Sequence, residues 1–331
     1  MTYISLDPER LQHLITNLTR YATSSYKQRG YVKHANELQC YPTDLTQFQN
    51  RISNTVGFLE EKTKELQARL DSAKAANESG ITPMGANGMI SYFIPDGEED
   101  TMKNALEHNQ VETVKQARED AQKLKEYNAG GERPSNQKWI SLVERIRANQ
   151  SDSVYAKVFV KRIGPRVLRS IPVAPVKGRS YMKNDPDPKR GLSQGQRDEV
   201  VDALGHLVST ASKTWSKNQA KEFAKRLTDD MDAKDVLGVN RIFSSSRSVD
   251  IDGDGKKERV GLDYDDTMLL AVAKRIENKD EEIFGVVHAM TGNTSAATKW
   301  LAVRKSSSGG KGSEGEVDAE KTAARTKKLV E

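Results

Sequence analysis

Two runs of apolar residues at helical spacing fill most of the first 75 positions, and they constrain the fold more than any other feature. Asp7 followed by Pro8 favours a helix start, because an N-cap Asp accepts backbone hydrogen bonds and Pro fits the first helical position. Steps of three and four residues place the apolar side chains of each run on one helix face. We therefore expect an antiparallel hairpin of two amphipathic helices. The first run comprises Leu11, Leu14, Ile15, Leu18, Ala22 and Tyr26, and the second comprises Leu45, Phe48, Ile52, Val56, Leu59, Leu66, Leu70 and Ala73.

The two predicted helices differ in length, because Gly30 ends the first pattern while the second continues further. Their expected lengths are about 20 and about 33 residues, or roughly 30 and 50 Å. Leu66, Leu70 and Ala73 thus extend past the part that the shorter helix can cover. An uncovered apolar stripe packs against another helix. Residues 100–125 of the same chain and a partner subunit are both candidates for that role.

Helical patterns also dominate the remaining sequence, with one short exception. Around residues 88–97, glycines and prolines flank a strand-like run, which predicts a β-like excursion. A chain of 331 residues allows about two domains. We predict an all-α protein in three parts. Residues 1–130 form the hairpin region with a following helix, 131–304 form an array of helical hairpins, and 305–331 form a flexible linker and tail.

The net charge of +5 arises in one stretch of the chain. Residues 151–200 hold 11 basic and 5 acidic side chains, whereas the regions before and after are nearly neutral. The connector 161–192 is the densest part and contains five of the ten prolines. A solvated linker is the favoured interpretation, with phosphates, acidic polymers or an acidic partner as alternatives. Its one aromatic residue, Tyr181, gives little support for base stacking, so no nucleic-acid partner is expected.

Several function classes are excluded or disfavoured by the sequence. Cys40 is the only cysteine, which excludes an internal disulfide and a Cys-based zinc site. The five histidines are scattered, and none forms an H-x-x-x-H pair. No apolar run approaches the ~18 residues of a membrane span, and the N-terminus lacks a Sec-type signal pattern. We predict a protein that is not an enzyme, with no catalytic residues and no membrane-spanning segment.

The most specific motif runs from Asp250 to Glu258 and resembles a calcium loop. Asp250, Asp252, Asp254, Lys256 and Glu258 occupy relative positions 1, 3, 5, 7 and 9, with glycine at position 6. Lys256 would donate only its backbone carbonyl. Four carboxylates so close together repel one another unless a cation lies between them. Ca²⁺ is therefore the predicted cofactor, and an Asp/Gly-rich surface turn without metal is the alternative.

The end of this motif departs from the usual calcium loop. Position 12, where a bidentate Glu belongs, is Gly261. Asp263, two residues later, is the predicted closing ligand. Loss of the usual closing carboxylate predicts weak binding, with a Kd of about 10⁻⁴–10⁻³ M.

The hairpin at residues 7–75 is similar in length and pattern to the small helical-hairpin proteins of the W-x-G family, which type VII secretion systems export. The chain up to about residue 304 resembles an uncharacterised actinobacterial family that is similar to the N-terminal, non-toxic portions of type VII-associated polymorphic toxins. At the bend, Gly30-Tyr31 and Cys40-Tyr41-Pro42 stand in place of Trp-x-Gly. The segments that carry the wider resemblance are ARLDSAKAANESGITPMGANGMISYFIPDGEEDT, GPRVLRSIP, GHLVSTASKTW, DIDGDGKKERVGLDYDDT and VVHAMTGNTSAA.

This resemblance implies a non-enzymatic export or interaction protein. The hairpin would be the recognition and dimerisation element, and its partners would be the secretion machinery, another hairpin protein or a second copy. Export would proceed by a type VII-like route without a cleaved signal peptide, to the cell surface or medium. The tail motif Tyr-x-x-x-Asp/Glu of such substrates matches at Tyr3–Asp7, Tyr92–Asp96 and Tyr181–Asp185. A cytoplasmic helical adaptor or immunity-like binding protein is the alternative.

Overall fold

A computed structural model shows that the protein is mostly helical, which confirms the predicted all-α class. The short sheets in the described part of the chain have two strands each. The chain divides into two compact units, residues 1–115 and 116–331. The structure describes residues 2–39, 43–82, 84–85, 88–130, 133–173, 192–250, 257–277, 283–302, 322, 323 and 325.

The first unit is built on the expected helical hairpin with a small sheet against its base. β1 and β2 pair antiparallel, with Thr2 opposite Ile94 and Leu6 opposite Ile90. The sequence predicts β2 as the strand-like excursion but gives no sign of β1. The elements are β1 (Thr2–Leu6), α1 (Pro8–Glu37), α2 (Thr46–Ser79), β2 (Ile90–Ile94), α3 (Met102–His108) and the start of α4 (Val111–Asn128).

Helix α1 begins where the sequence predicts and ends later than predicted. The Asp7 carboxylate accepts hydrogen bonds from the backbone N–H groups of Glu9 and Arg10, at 3.0 and 3.1 Å. The prediction that Gly30 ends the helix is wrong, because α1 continues to Glu37 and has 30 residues. A glycine inside a helix costs only about 1 kcal/mol relative to alanine, so it does not stop a helix that packs along a partner.

The apolar stripe of α2 beyond the expected helix contact is covered by its own chain. Leu70 and Ala73 are fully buried, and they form one core cluster with the inward side chains of β2 and with Ala105 of α3. Leu66 packs at the edge of this cluster. The stripe is therefore covered within the first unit and does not need a partner subunit.

A polar side chain interrupts the helix that the sequence predicts after residue 100. Asn109 is fully buried, and its amide pairs with the backbone of β2. Its Nδ2 donates to the carbonyl of Phe93 at 3.0 Å, and its Oδ1 accepts from the Phe93 N–H at 3.1 Å. Because Gln110 then adopts a positive φ of 53°, the chain turns between α3 and α4.

The second unit is an array of short helices with a β-hairpin inserted. Ser135, Asp152 and Ser193 are the N-caps of three of its helices, and their side chains accept hydrogen bonds from backbone N–H groups. β3 and β4 pair antiparallel. Its elements after α4 are α5 (Asn136–Asn149), α6 (Ser153–Ile163), α7 (Pro165–Ser170), α8 (Gln194–Ser212), α9 (Lys217–Thr228), α10 (Ala233–Phe243), β3 (Ser246–Val249), β4 (Glu258–Gly261), α11 (Asp266–Glu277), α12 (Phe284–Thr291) and α13 (Thr294–Leu301).

The two units divide within α4, earlier than the predicted domain boundary at residue 131. A buried carboxylate accounts for this. Asp120 of α4 accepts hydrogen bonds from Arg145 of α5 at 2.8 Å and from the Tyr155 hydroxyl of α6 at 2.9 Å. Burial and the adjacent Asp120 raise the pKa of Tyr155. Most of α4 therefore belongs with the helices that follow it.

The beginning of the basic connector is part of the packed structure. Arg169, at the end of α7, is almost fully buried and donates to the carbonyls of Leu227 and Asp229, at 2.8 and 2.7 Å. It also forms an ion pair with Asp235 at 2.9 Å. The interpretation of 161–192 as a solvated linker is therefore wrong for residues 161–173. Residues 174–191, with Tyr181, lie outside the described residues.

Candidate interaction surface and calcium-type loop

The α1–α2 hairpin is buried at its base and exposed over the rest of its length. We call residues 23–39 and 43–60 the outer half. Within it only Val56 is buried. Polar contacts hold the two helices together there, since Arg29 donates to the Ser53 hydroxyl at 2.8 Å. The side chain of Asn36 bonds both the N–H and the carbonyl of Thr43.

Three apolar residues of α1 lie along one flank of the helix and are solvent-exposed. Leu14, Tyr21 and Val32 are spaced by seven and eleven residues, close to two and three helical turns. Their exposed fractions are 46%, 56% and 39%. We call these three residues the α1 flank. The guanidinium of Arg20 lies 5.5 Å from the centre of the Tyr21 ring.

The base of the hairpin is fixed by a polar contact as well as by the core. The Tyr92 hydroxyl of β2 donates to Asp100 Oδ2 at 3.0 Å, and Arg69 Nε of α2 donates to the same oxygen at 3.1 Å. Burial and the neighbouring Asp100 raise the pKa of Tyr92 to about 12. The buried ring makes the Tyr92–Asp96 copy of the tail motif inaccessible, while Tyr3 is exposed.

The ends of the predicted calcium loop are brought together by the β-hairpin. Val249 of β3 is paired with Glu258 of β4, so Asp250 follows directly at the same end. Both Asp250 and Glu258 are exposed. Relative positions 1 and 9 of the motif are therefore at the same end of the β-hairpin. Asp252, Asp254 and Lys256 lie outside the described residues.

The structure gives a packing reason for glycine at the twelfth position. The Cα of Gly261 lies against the backbone of α12, and a Cβ atom there would overlap the carbonyl oxygen of His288 and lie 2.6 Å from Ala289 Cα. The Gly261 N–H donates to the Thr291 hydroxyl at 2.9 Å. A glutamate at this position would have no space, so the usual closing ligand is excluded by the contact between β4 and α12.

Asp263 lies at the other end of the β-hairpin from the loop, because Gly261 already pairs with Ser246 at that end. Its carboxylate forms an ion pair with Lys213 at 2.8 Å. The closing role of Asp263 stays a prediction, and its position makes it the least supported of the six ligands. Within the described ranges, no three His, Cys, Asp or Glu side chains converge as a metal site would require.

Sequence reasoning did not find the α1 flank. Only Leu14 belongs to the predicted apolar run that also holds the buried Ile15 and Ala22, whereas Tyr21 and Val32 stand outside that run. The available signal was angular: the three residues share one direction that lies roughly a quarter turn around the helix from Ile15 and Ala22. No helix in the described part of the chain has the length and apolar character needed to cross a membrane.

Comparison with known proteins gives one result. No curated protein and no solved structure matches the chain. The model of a family of unknown function (DUF6571) matches residues 1–284 and 281–331. The chain therefore belongs to the DUF6571 family.

Proposed function

We propose that this chain is a non-enzymatic interaction protein of a type VII-like export system, and that the α1–α2 hairpin is recognised by its protein partner. The resemblance of the hairpin to exported W-x-G proteins supports this class. The later segments, which resemble the non-toxic portions of secreted toxins, support it as well. In this proposal the partner is a component of the secretion machinery, another hairpin protein or a second copy of the chain.

The exposed surface of the hairpin, which comprises the outer half and the α1 flank, is the observation that carries the proposal. Helices in proteins owe most of their stability to tertiary packing of an apolar face. Two helices of 30 and 34 residues are longer than the base of the first unit requires. A partner helix lying along the α1 flank would cover Leu14, Tyr21 and Val32, the pattern by which amphipathic helices recognise each other.

Calcium binding at the Asp250–Glu258 loop is a second part of the proposal. The β-hairpin brings the two ends of the motif, Asp250 and Glu258, to one end of the sheet, and this arrangement supports a loop that closes around a cation. Such a cation would stabilise the second unit by mass action. It would have a structural role, since neither the proposed export nor the recognition of a partner requires metal chemistry.

The test is an export assay with charged substitutions on the α1 flank. Leu14→Asp, Tyr21→Asp and Val32→Asp would place three charges where a partner helix must bury them without counter-charges. We expect the chain to keep its helicity and to disappear from the culture medium. The matched control places three aspartates at His13, Ser24 and Tyr31, which are also exposed and lie on the face of α1 that points away from the buried Ile15 and Ala22.

The outcomes separate the proposed function from its alternative. Wild-type chain in the medium with an intact N-terminus, together with normal export of the control, supports the proposal. Retention of wild-type chain in the cell, with partner binding that still depends on the α1 flank, would favour the cytoplasmic adaptor. Equal export of both triple variants would show that the α1 flank is not part of the recognition surface.

A further inference from the structure

A wide groove lies along α9 and α11 in the second unit, with a volume of about 970 Å³. Lys217, Lys221 and Lys225 of α9 recur every four residues along one edge. They are therefore about 6 Å apart along the helix axis. The opposite side is formed by α11, and Lys299 of α13 lies at one end.

The positive charge of this groove is not neutralised by its own acids. Glu222 is paired with Arg226 at 2.8 Å, and Asp266 is paired with Lys299 at 2.6 Å. Hydrogen bonds from Lys299 and Ser295 lower the pKa of Asp266 against the opposing effect of burial. Both carboxylates are thus already engaged.

Four lysines of the groove remain without an ion pair to any described residue. These are Lys217, Lys221, Lys225 and Lys274, and all four are exposed. Arg275, also in the lining, is paired with Asp229 at 2.6 Å. Four unpaired cations around one concave surface create a local field that attracts an acidic ligand.

The floor of the groove is apolar, which narrows the class of ligand. Thr267, Leu270 and Ala271 lie on the same face of α11 and are partly exposed. A phosphate polymer would gain nothing from contact with Leu270 and Ala271. An amphipathic helix would bury its apolar face on this floor and direct acidic side chains to the lysines.

We propose that the groove of α9 and α11 binds an acidic amphipathic helix of a partner protein. Acidic residues spaced by four along one side of that helix match the spacing of Lys217, Lys221 and Lys225. Leucine or alanine side chains on its lower face contact Leu270 and Ala271. This site lies in the second unit and does not depend on recognition of the α1–α2 hairpin.

The test measures fluorescence anisotropy of a labelled 16-residue helical peptide with Glu at every fourth position and Leu on the adjacent face. The full chain should bind this probe more tightly than a scrambled peptide of equal composition, and binding should weaken with added salt. In the Lys217→Glu, Lys221→Glu and Lys225→Glu triple variant, affinity should fall at least about tenfold, because like charges then face each other. The corresponding Lys→Gln variant should lose less.

A control variant changes the net charge equally at exposed lysines outside the groove, Lys123→Glu, Lys138→Glu and Lys161→Glu. Its affinity for the probe should stay within about twofold of wild type, because none of the three lysines lines the groove and salt screens exposed charges that do not contact the ligand. Leu270→Gln should weaken binding of the amphipathic probe and leave the binding of a polyglutamate peptide of the same length unchanged.

Several results would overturn the proposal. These are no binding of the amphipathic probe, equal binding of the scrambled probe, equal loss in both triple variants, or tighter binding of a 20-base-pair DNA duplex. Probe binding that appears only when Glu314, Glu316, Asp318 and Glu320 are changed to glutamine would also overturn it. The natural ligand of the groove would then be the acidic segment 314–320 of the chain itself.

Discussion

The α1–α2 hairpin of the first unit and the β3–β4 hairpin of the second are both packed at one end and exposed at the other, but different contacts hold the packed ends. Apolar side chains such as Leu70 and Ala73 bury the base of the helical hairpin. The β-hairpin is held by backbone against backbone, with Gly261 on α12. The first contact should therefore tolerate changes of shape better than charge, whereas the second should not tolerate even one added methyl group.

The largest expected effect is at the base of the helical hairpin. Leu70→Asp should lower the free energy of unfolding by about 3–5 kcal/mol, because it buries a charge without a partner. Tyr21→Asp, on the exposed α1 flank, should stay within about 0.5 kcal/mol of wild type. Urea denaturation followed by circular dichroism measures both. Similar small losses for the two variants would mean that the base of the hairpin and the α1 flank are not packed differently.

The base of the β-hairpin gives the next largest effect. Gly261→Ala should cost about 3 kcal/mol, the upper end for overpacking, because the added Cβ meets backbone atoms that cannot rotate away. Gly195→Ala in α8 is the control, since its Cβ would meet nothing within 4 Å. Thermal unfolding of the two variants checks this difference. Gly261→Glu should likewise destabilise, and a gain in calcium affinity from it would contradict the packing explanation.

The effect of calcium on thermal stability tests the predicted metal loop at the exposed end of the β-hairpin. At a calcium concentration about 100-fold above the Kd, the second unit should gain about 2.7 kcal/mol of stability. Thermal unfolding in calcium and in chelator should therefore differ. Asp252→Ala or Asp254→Ala should abolish the difference, whereas Asp202→Ala, on α8, should preserve it. Identical unfolding curves of the wild type in both buffers would contradict calcium binding by this loop.

The smallest effect concerns the polar contact at the base of the helical hairpin. Tyr92→Phe removes one hydrogen bond to Asp100 and should cost about 1 kcal/mol. An unfolded tyrosine ionises near pH 10, whereas burial holds the pKa of Tyr92 at about 12. Its contribution to stability is therefore present below about pH 10 and is lost as the pH rises through 12. Urea denaturation from pH 8 to 11 should show this loss in the wild type and a weaker one in Tyr92→Phe.

Local features of the fold were predictable where a few neighbouring residues decide the outcome. Asp7 caps α1 as predicted, and Ser135, Asp152 and Ser193 cap later helices in the same way, because a side-chain oxygen there reaches backbone N–H groups only two or three residues away. The prediction that Gly30 ends α1 was wrong because a contact distant in sequence decides the outcome there. The local cost of this glycine is small, and the packing of α1 along α2 outweighs it.

The candidate site could be predicted only in part. The sequence placed Asp250 and Glu258 at the ends of one motif, and the β-hairpin brings these ends together. The sequence could not show that Gly261 touches α12 or that Asp263 is paired with Lys213. The lysine groove was also missed, since its edges come from helices that lie some 40 residues apart in the chain.

The sequence by itself determined the helical class, the hairpin and the helix starts, because periodicity and capping act within one or two turns. Tertiary structure alone decided that Leu70 is core while Tyr21 is surface. It also paired β1 with β2, buried Arg169 of the basic connector and turned the chain at Asn109. Each of these outcomes depends on a partner distant in sequence, and the pattern of a single segment carries no record of that partner.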